Sequence, residues 1–355
     1  DVISHFKIRG SYGLVGSDDT GTNAGAQHFL YVSTVGTYTP NFRTGADGST
    51  VRYNAPYISA YPVDGACWER AKKLDIGVDL HLFNKLNLVV DYFHDRREKI
   101  LMQRASWPVM LGYDSAKPWG NVGQAENMGV DMSLNYTQSF GEDWSLSLRG
   151  TFTYLKNKLV YVDEPDYSYS WQSKTGWPLS SYRWQGYVAD GLFVDQEDID
   201  KSPEQNLGSK VMPGDIKYRD LNGDGKITQE DQTMISDCGT APRIQYGIGA
   251  YLRWKILDIG VFFTGSGMRT IYLCPMNPFG SDTGSEWGAG ERSLAKWIDA
   301  SRWTEVNPDP SAAYPRLGVN YVDVKNNLQV SSYWLRDGSF IRFKKKKEKK
   351  KKKYC

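Results

Sequence analysis

Apolar and polar residues alternate strictly in several stretches of the chain. In residues 130–137 (VDMSLNYT) every second residue is apolar, and residues 144–154 (WSLSLRGTFTY) and 74–82 (LDIGVDLHL) repeat the pattern. A period of two places the apolar residues on one face of a β-strand and the polar residues on the other. The pattern therefore predicts a protein built from two-faced strands.

The length of these stretches favours strands that cross a membrane. They reach roughly 9–11 residues, whereas strands of soluble sheets average about 5–6. Aromatic residues lie near their ends, as expected for girdles at two membrane interfaces: Tyr136, Trp144, Tyr154, Tyr246 and Trp254. The polar faces carry Asp, Arg, Asn and Thr, which suit a water-filled lumen. From the pattern alone, a large soluble β-sandwich or β-helix with one wet face remains the alternative.

The predicted connections alternate between short and long. Residues 84–87 and 139–144 form short turns. The long connections are residues 13–28, 37–66, 156–181, 192–243 and 273–330. Short turns on one side and long loops on the other are typical of outer-membrane barrels. In the last long loop, residues 290–303 predict a short amphipathic helix with Leu294, Trp297 and Ile298 on its apolar face.

Composition supports β structure and excludes helical membrane bundles. Aromatic residues make up 14% of the 355 residues, and there are 35 Gly. No uncharged apolar run approaches the ~18–20 residues that a spanning helix needs. The four cysteines (Cys67, Cys238, Cys274 and Cys355) are too far apart in sequence to suggest a zinc site or a disulfide framework.

The basic character of the chain comes from its last residues. The net charge is +2, from 43 Lys and Arg against 41 Asp and Glu, but residues 344–353 alone hold nine Lys and one Glu. Subtracting these leaves 34 basic and 40 acidic residues, so no nucleic-acid binding is predicted. The tail, residues 344–355, is either a polybasic anchor or a non-native sequence produced by a frameshift in an adenine run.

One local motif predicts a metal site. Residues 220–231 (DLNGDGKITQED) have the spacing of a calcium loop, in which positions 1, 3, 5, 7, 9 and 12 supply oxygen atoms and position 6 is Gly. The predicted ligands are Asp220, Asn222, Asp224, the Lys226 carbonyl, Thr228 and Asp231. Because position 12 is usually Glu, the shorter Asp231 predicts weaker binding. The alternative is a solvated turn without metal. We expect a structural Ca²⁺ that stabilises an inserted loop.

Other candidate residues carry weaker signals. An aromatic cluster could stack against sugar rings or could simply pack a loop: Tyr161, Tyr167, Tyr169, Trp171, Trp177, Tyr182 and Trp184. The same two interpretations apply to Asp282, Glu286 and Trp287. The four histidines are far apart, and neither HExxH nor GxSxG occurs. Residues 247–252 lack the third Gly of a dinucleotide fingerprint. We therefore predict a protein that is not an enzyme.

Several segments, in order along the chain, resemble the SusC/RagA family of TonB-dependent transporters of the Bacteroidetes outer membrane. The resemblance extends over nearly all of residues 1–343. The segments are FKIRGSYGLVG (6–16), CWERAKKLDIGVDLHLF (67–83), NVGQAENMGVDMSLNY (121–136), YRWQGYVADGLF (182–193), PGDIKYRDLNGDGKITQEDQTMIS (213–236), PRIQYGIGAYLRWKILDIGVFFTGSGM (242–268), RWTEVNP…AAYPRL (302–317) and SYWLRDGSFIRF (332–343).

The resemblance implies an all-β fold, namely a transmembrane antiparallel β-barrel of about 22 strands in the outer membrane of a Gram-negative cell. Residues 1–343 would form part of its C-terminal half, with residues 213–236 as a calcium-loop insertion in an extracellular loop. The chain would be an incomplete fragment without the plug and the N-terminal part that contacts TonB. After FIR (340–342) the family usually continues with an LKNVTLGY-like sequence, which FKKKKEKKKKKYC replaces here, so the lysine tail favours the frameshift.

The resemblance also implies a function. The parent protein would be a nutrient importer, taking up oligosaccharides or peptides with a SusD-like surface lipoprotein and with outer-membrane lipid around it. Two alternatives remain: a secreted, calcium-stabilised β-sandwich that binds carbohydrate, and a passive porin. A fragment alone would leave unpaired strand edges in hydrocarbon, so we expect the function to belong to the parent protein.

Overall fold

The computed structural model describes residues 2–18, 30–38, 41–43, 50–52, 55–63, 65–106, 117–179, 185–255, 257–273, 295–318 and 321–345. In chain order the strands are β1 (Ile3–Ser17), β2 (Thr34–Tyr38), β3 (Asn41–Arg43), β4 (Thr50–Arg52), β5 (Ala55–Ala60), β6 (Glu69–Leu82), β7 (Leu86–Gln103), β8 (Trp119–Phe140), β9 (Trp144–Tyr161), β10 (Gln185–Gly186), β11 (Ala189–Leu192), β12 (Glu204–Gln205), β13 (Ile216–Tyr218), β14 (Lys226–Ile227), β15 (Thr233–Met234), β16 (Ile244–Trp254), β17 (Leu257–Gly267), β18 (Thr270–Tyr272), β19 (Leu335–Asp337) and β20 (Phe340–Lys345). The helices are α1 (Gln196–Asp200) and α2 (Lys296–Ser301), with 3-10 turns at Ser170–Gln172, Gln229–Asp231, Tyr321–Leu328 and Ser332–Trp334.

Eight strands form one antiparallel sheet whose order follows the chain. The order is β1-β6-β7-β8-β9-β16-β17-β20, so each strand pairs with the sheet strand that precedes it and the one that follows it. The remaining strands form two-stranded pairs in the connections. Within the described residues, β1 and β20 each pair along one edge only, as expected for part of a barrel wall. The predicted all-β fold is confirmed.

The sheet has one apolar face and one polar face, as the alternation predicted. Rows of cross-strand neighbours on the apolar face run without a charged residue from β1 to β16. One row is Ile8, Val78, Val90, Met132, Phe152 and Tyr246, and the next is Phe6, Leu80, Leu88, Leu134, Gly150 and Ile248. Many of these side chains are exposed, among them Ile8 at 64% and Ile248 at 60%. A continuous exposed apolar face of this kind suits contact with lipid.

The apolar rows have the height of a bilayer core. On β8 they extend from Phe140 to Val130, and ten residues at ~3.3 Å each, tilted by ~40°, give roughly 25 Å. At the lower edge Trp144 and Trp254 stack with ring centroids 5.1 Å apart. The strands are longer than the predicted 9–11 residues: β8 has 22 residues and β9 has 18. Between Trp119 and Val130 polar residues occur on both faces of β8, so the strict alternation of apolar and polar residues ends before the strand does.

Short and long connections alternate between the two ends of the sheet. Residues 83–85, 141–143 and 255–256 join successive strands at one end. At the other end, the connections are residues 18–68, 104–118, 162–243 and 268–339. The predicted asymmetry is therefore confirmed, but residues 13–28 and 37–66, predicted as two connections, belong to one, and so do residues 156–181 and 192–243. In the described part of the chain, no helix combines the length and the apolar character needed to span a bilayer.

Only part of the predicted helix at 290–303 lies within the described residues, because residues 290–294 lie outside them. Residues 296–301 form α2, and Leu294 lies outside the described residues. Ile298 is buried, but Trp297 is 64% exposed and touches Tyr314 only edge-on, with ring centroids 5.7 Å apart. Of the two predicted face residues that the structure describes, Ile298 is therefore in the core and Trp297 is not.

The two longest connections pack against each other. Their shared apolar core consists of Tyr187, Leu192, Ile216, Tyr218, Ile227, Ile298, Trp303, Ala312, Tyr314 and Trp334. We call the packed segments, residues 185–234 and 295–334, the loop assembly. It lies at the long-loop end of the wall, since β18 follows β17 directly and pairs with β19 just before β20.

Candidate functional site

The loop assembly is held together by buried amide side chains. Asn326 and Asn327 are at most 1% exposed. The Asn326 amide donates to the Ile216 carbonyl at 3.0 Å, and the Asn327 side-chain oxygen accepts from the Ile216 amide at 2.8 Å. Gln205 donates to Asn326 and accepts from the Tyr218 amide. These side chains thus take the place of a neighbouring strand, because they form hydrogen bonds with the backbone N–H and C=O groups of β13.

A buried ion pair lies beside these amides. Asp215 is fully buried, and its carboxylate lies 2.6 Å from the Arg316 guanidinium. It also accepts hydrogen bonds from the Met212 amide and the Asn327 side chain, both within 3.0 Å. Burial raises the pKa of Asp215, and the ion pair with Arg316 opposes that rise. The ion pair ties the first long connection to the second.

The predicted calcium loop forms the sharp turn that the glycine at position 6, Gly225, suggested, and Gly223 takes part in it as well. Gly223 and Gly225 have φ angles of +76° and +81°, in the left-handed region that favours glycine. Both of their amides donate to the Asp220 carboxylate, at 2.7 and 2.8 Å. The Asn222 side-chain oxygen accepts from the Asp224 amide at 3.1 Å, and Asp224 accepts from the Lys226 amide at 2.8 Å.

Asp231 closes the loop from within. It is fully buried, and its two carboxylate oxygens accept from the amides of Leu221 and Thr228, both at 2.8 Å. Thr228 in turn caps the 3-10 turn that follows, accepting from the Glu230 amide at 3.2 Å. Asp231 therefore ties the start of the loop to its end.

The donor types suit calcium, but the acidic side chains do not meet at one point. All six predicted ligands offer oxygen, and the turn has the required shape. However, no three His, Cys, Asp or Glu side chains among the described residues lie close enough to hold a metal ion. Glu230, which the spacing rule passed over, reaches Asn222 at 3.3 Å. Its place at position 11 of the loop gave no signal, because the motif assigns closure to position 12.

The aromatic cluster divides into packed and accessible side chains. Trp177 is buried, whereas Tyr161 and Tyr167 are exposed. Tyr169 and Trp171 stack with centroids 4.5 Å apart and planes within 11°. The Trp171 indole N–H donates to the Glu230 carbonyl at 2.9 Å, so the pair is anchored to the calcium-like loop. Tyr182, Trp184, Asp282, Glu286 and Trp287 lie outside the described residues.

Two acidic residues after β9 anchor loops. Asp163 accepts from Arg104 at 3.0 Å and from the Ser106 amide at 3.2 Å. Burial acts to raise the pKa of Asp163, but the bonds from Arg104 and Ser106 outweigh it and hold the pKa below its usual value. Glu164 accepts from Ser173 and from the Lys174 amide. Both side chains thus have structural partners.

The polar face of the sheet carries a charged cluster. Arg9 on β1 reaches Asp79 at 2.9 Å and Asp91 at 2.7 Å. The second contact passes over Gly77, where a Cβ atom would collide with the Asp91 carboxylate. Glycine is therefore required at this position if β1 is to be linked to β7 across β6.

The sheet has the features of the wall of an outer-membrane β-barrel. Its strands follow chain order, its outer rows are apolar and its inner face is polar, with short turns at one end and long loops at the other. Residues 5–347 match the family model described as "TonB dependent receptor-like, beta-barrel", and the chain belongs to this family.

Relatives of known identity agree with this assignment. TonB-dependent receptor P3 of Formosa agariphila is 26% identical over 97% of this chain and 32% of its own length. TonB-dependent receptor SusC of Bacteroides thetaiotaomicron is 22% identical over 77% of this chain and 26% of its own length. A solved structure of the RagAB peptide transporter aligns with a TM-score of 0.63 at 19% identity, covering 96% of this chain and 34% of that one. The chain thus spans between about a quarter and a third of the length of these relatives.

These findings decide between the fold classes that the pattern left open. The chain is part of a transmembrane barrel of the cell outer membrane, and the alternative of a secreted carbohydrate-binding β-sandwich is not supported. The recognised resemblance to SusC and RagA is confirmed. The family is one of transporters rather than enzymes.

Proposed function

We propose that the protein containing this chain is a TonB-driven importer that takes up oligosaccharides or peptides together with a SusD-like surface lipoprotein. The observation that carries the proposal is the family match over residues 5–347, combined with a wall that separates lipid from a polar interior. One of the similar solved structures is of the RagAB peptide transporter, and one of the proteins with a similar sequence is the TonB-dependent receptor SusC. TonB would act through a part of the protein outside this chain.

The loop assembly supports the proposal of a partner at the outer surface. Its core and its buried ion pair give it a fixed shape at the long-loop end of the wall. A fixed surface suits docking of a second subunit better than separate loops do, because less conformational entropy is lost on binding.

Deletion of the gene in its native host tests the proposal. The deletion strain should lose growth on one class of oligosaccharide or peptide and keep growth on the matching monomer. A copy of the gene should restore growth, and a protonophore should abolish uptake in the complemented strain. If the deletion strain grows as well as the parent strain on every oligosaccharide and every peptide tested, import of either nutrient class is contradicted. A tag on the protein should also recover a lipoprotein from solubilised outer membrane.

We further propose that residues 220–231 bind Ca²⁺ and that the ion stabilises the loop assembly. The loop is connected to the core through Ile227, which is 4% exposed, and through the parallel pairing of β14 with β12. The Asp220 and Asp224 carboxylates remain near the surface, where a cation could reach them. Binding there would bring the acidic side chains together, and the tightened loop would hold Ile227 more firmly in the core.

Calcium titration of the full chain tests this site. We expect Ca²⁺ to raise the unfolding temperature, and we expect Asp220→Asn with Asp224→Asn to abolish that increase. The control is Glu197→Gln with Asp200→Asn, which removes two exposed acidic charges from α1 in the same assembly. If the control loses the calcium response equally, the effect is nonspecific. If calorimetry detects no binding at millimolar Ca²⁺, the proposed site is wrong.

A further inference from the structure

On the outer face of the wall, charged residues begin one row above the last fully apolar row. The last fully apolar row contains Ile76, Tyr92, Val130 and Tyr154. Above it, charged residues occupy most of the outward positions on β6 to β9, with the apolar Leu74 and Met128 among them in the first row. The charged positions are Arg70, Lys72, His94, Arg96, Glu98, Glu126, Lys156 and Lys158, and we call them the outer belt.

The outer belt has an excess of positive charge. It holds five Lys and Arg side chains against two Glu, with one His in addition. Glu98 lies 2.8 Å from Lys72, and Glu126 lies 2.8 Å from Lys158, so each acid is already paired. Lys156 is exposed and forms no ion pair with any described residue.

The opposite face of the same strands shows no such excess. At this height the inward positions of β6 and β7 carry Lys73 and Arg97 against Glu69 and Asp95, and they balance. Arg97 is paired with both acids, within 3.5 Å. The excess is therefore a property of the outward face alone and not of the strand composition.

We propose that the outer belt binds the anionic headgroups of lipids in the leaflet on the long-loop side. It lies on the same face as the lipid-contacting rows and directly continues them. The headgroup of a lipid whose acyl chains lie against those rows therefore reaches the height of the outer belt. Cationic side chains at a membrane surface attract anionic headgroups, and Lys and Arg stems can lie along the apolar rows while their charges reach upward. This inference rests on membership in the outer-membrane family and is independent of what is imported.

Native mass spectrometry of the full chain in mixed micelles tests the proposal. The micelles contain equal amounts of phosphatidylglycerol and phosphatidylcholine, and the measurement is the ratio of the two lipids bound per chain. The belt variant is Lys72→Gln with Lys156→Gln and Lys158→Gln. The matched control, Lys7→Gln with Lys73→Gln and Arg149→Gln, removes the same charge from the inward face.

The belt variant should lower the ratio of phosphatidylglycerol to phosphatidylcholine at least about fivefold, since each cation near an anionic surface contributes to attraction. The control should keep the ratio of the unmodified chain. Equal loss in both variants, or loss in neither, would overturn the proposal. Retention of lipid together with loss of a co-purifying protein subunit would also overturn it, because the belt would then be a protein contact.

A second pair of measurements decides the matter if the glutamine variant does not fold. Replacement of Lys72, Lys156 and Lys158 by Arg keeps the charges and should keep the lipid ratio. For the unmodified chain, added NaCl should lower the ratio, because salt screens exposed charges. A ratio that is unchanged by salt would count against the outer belt.

Discussion

At the scale of single residues, buried polar side chains determine how the long loops are joined. Asp215 and Arg316 come from different connections and meet in the loop assembly with 0% and 12% of their side chains exposed. Removing one partner of a buried pair leaves the other charge without compensation, which costs far more than removing an exposed pair.

We therefore expect Arg316→Met to lower the free energy of unfolding of the loop assembly by about 3–5 kcal/mol. Arg219→Met is the matched control, because Arg219 pairs with Asp190 at the surface and its loss should have a much smaller effect. Urea titration followed by the fluorescence of the buried Trp303 and Trp334 measures both variants. If Arg316→Met lowers the free energy of unfolding as little as Arg219→Met does, Asp215 finds another partner.

The sequence predicted some of these residues and could not predict others. The spacing of residues 220–231 predicted the sharp turn at Gly225, because that turn depends on local chemistry. The roles of Asn326 and Asn327 depend on a segment more than 100 residues away. Two asparagines in a loop have no periodicity that distinguishes buried side chains from solvated ones.

At the scale of elements, strands continue well beyond the membrane and are tied together there. Asp163 follows β9, and it accepts from Arg104 and Ser106, which follow β7. This contact joins two strands that are separated in the sheet by β8. Although burial would raise the pKa of Asp163, the bonds from Arg104 and Ser106 favour the ionised carboxylate and hold that pKa below its usual value.

This contact should depend on pH. An acid whose pKa is lower in the folded state stabilises the fold above its unfolded pKa, about 3.9 for Asp, and loses that contribution as the pH falls through the folded pKa. The Ser106 amide should therefore lose hydrogen-exchange protection below about pH 4 and keep it near neutral pH. Asp163→Asn should remove the pH dependence of Ser106 protection.

An internal reference accompanies that measurement. The Cys67 amide donates to the neutral side chain of Asn121 at 3.1 Å, and its protection should not change over the same pH range. Loss of protection at Cys67 and Ser106 together would indicate global unfolding rather than titration of Asp163.

The faces of the strands were predictable, but their lengths were not. Alternation over residues 130–137 assigned the apolar and polar faces of β8 correctly. The upper half of β8, from Trp119, has polar residues on both faces because it stands outside hydrocarbon. Its strand character depends on pairing with β7 and β9, which no local pattern reveals.

At the scale of the whole molecule, the sheet defines which positions face lipid even at its last strand. Phe343 on β20 pairs with Phe263, in the outward row that also contains Ile248, Gly150 and Leu134. Lys344 pairs with Phe262 and belongs to the inward face. The remaining tail, residues 346–355, lies outside the described residues.

We expect Phe343→Lys to impair insertion of the full chain into lipid vesicles. A lysine on the lipid-facing side of a barrel costs roughly 2 kcal/mol at intermediate depth. Lys344→Leu is the control and should change insertion little, because that position belongs to the inward face. The fraction of chain that resists protease after mixing with vesicles measures both effects. Undiminished insertion of Phe343→Lys would contradict the assignment of its face to lipid.

The shared core of the two longest connections also orders events in time. One connection precedes the β16–β17 hairpin and the other follows it. Ile216 and Tyr218, from the first connection, therefore have no Trp334 to pack against until that hairpin is in place and the second connection has been delivered to the same side of the membrane. Closure of this core is thus a late step of assembly, and it can be completed only after the hairpin has crossed.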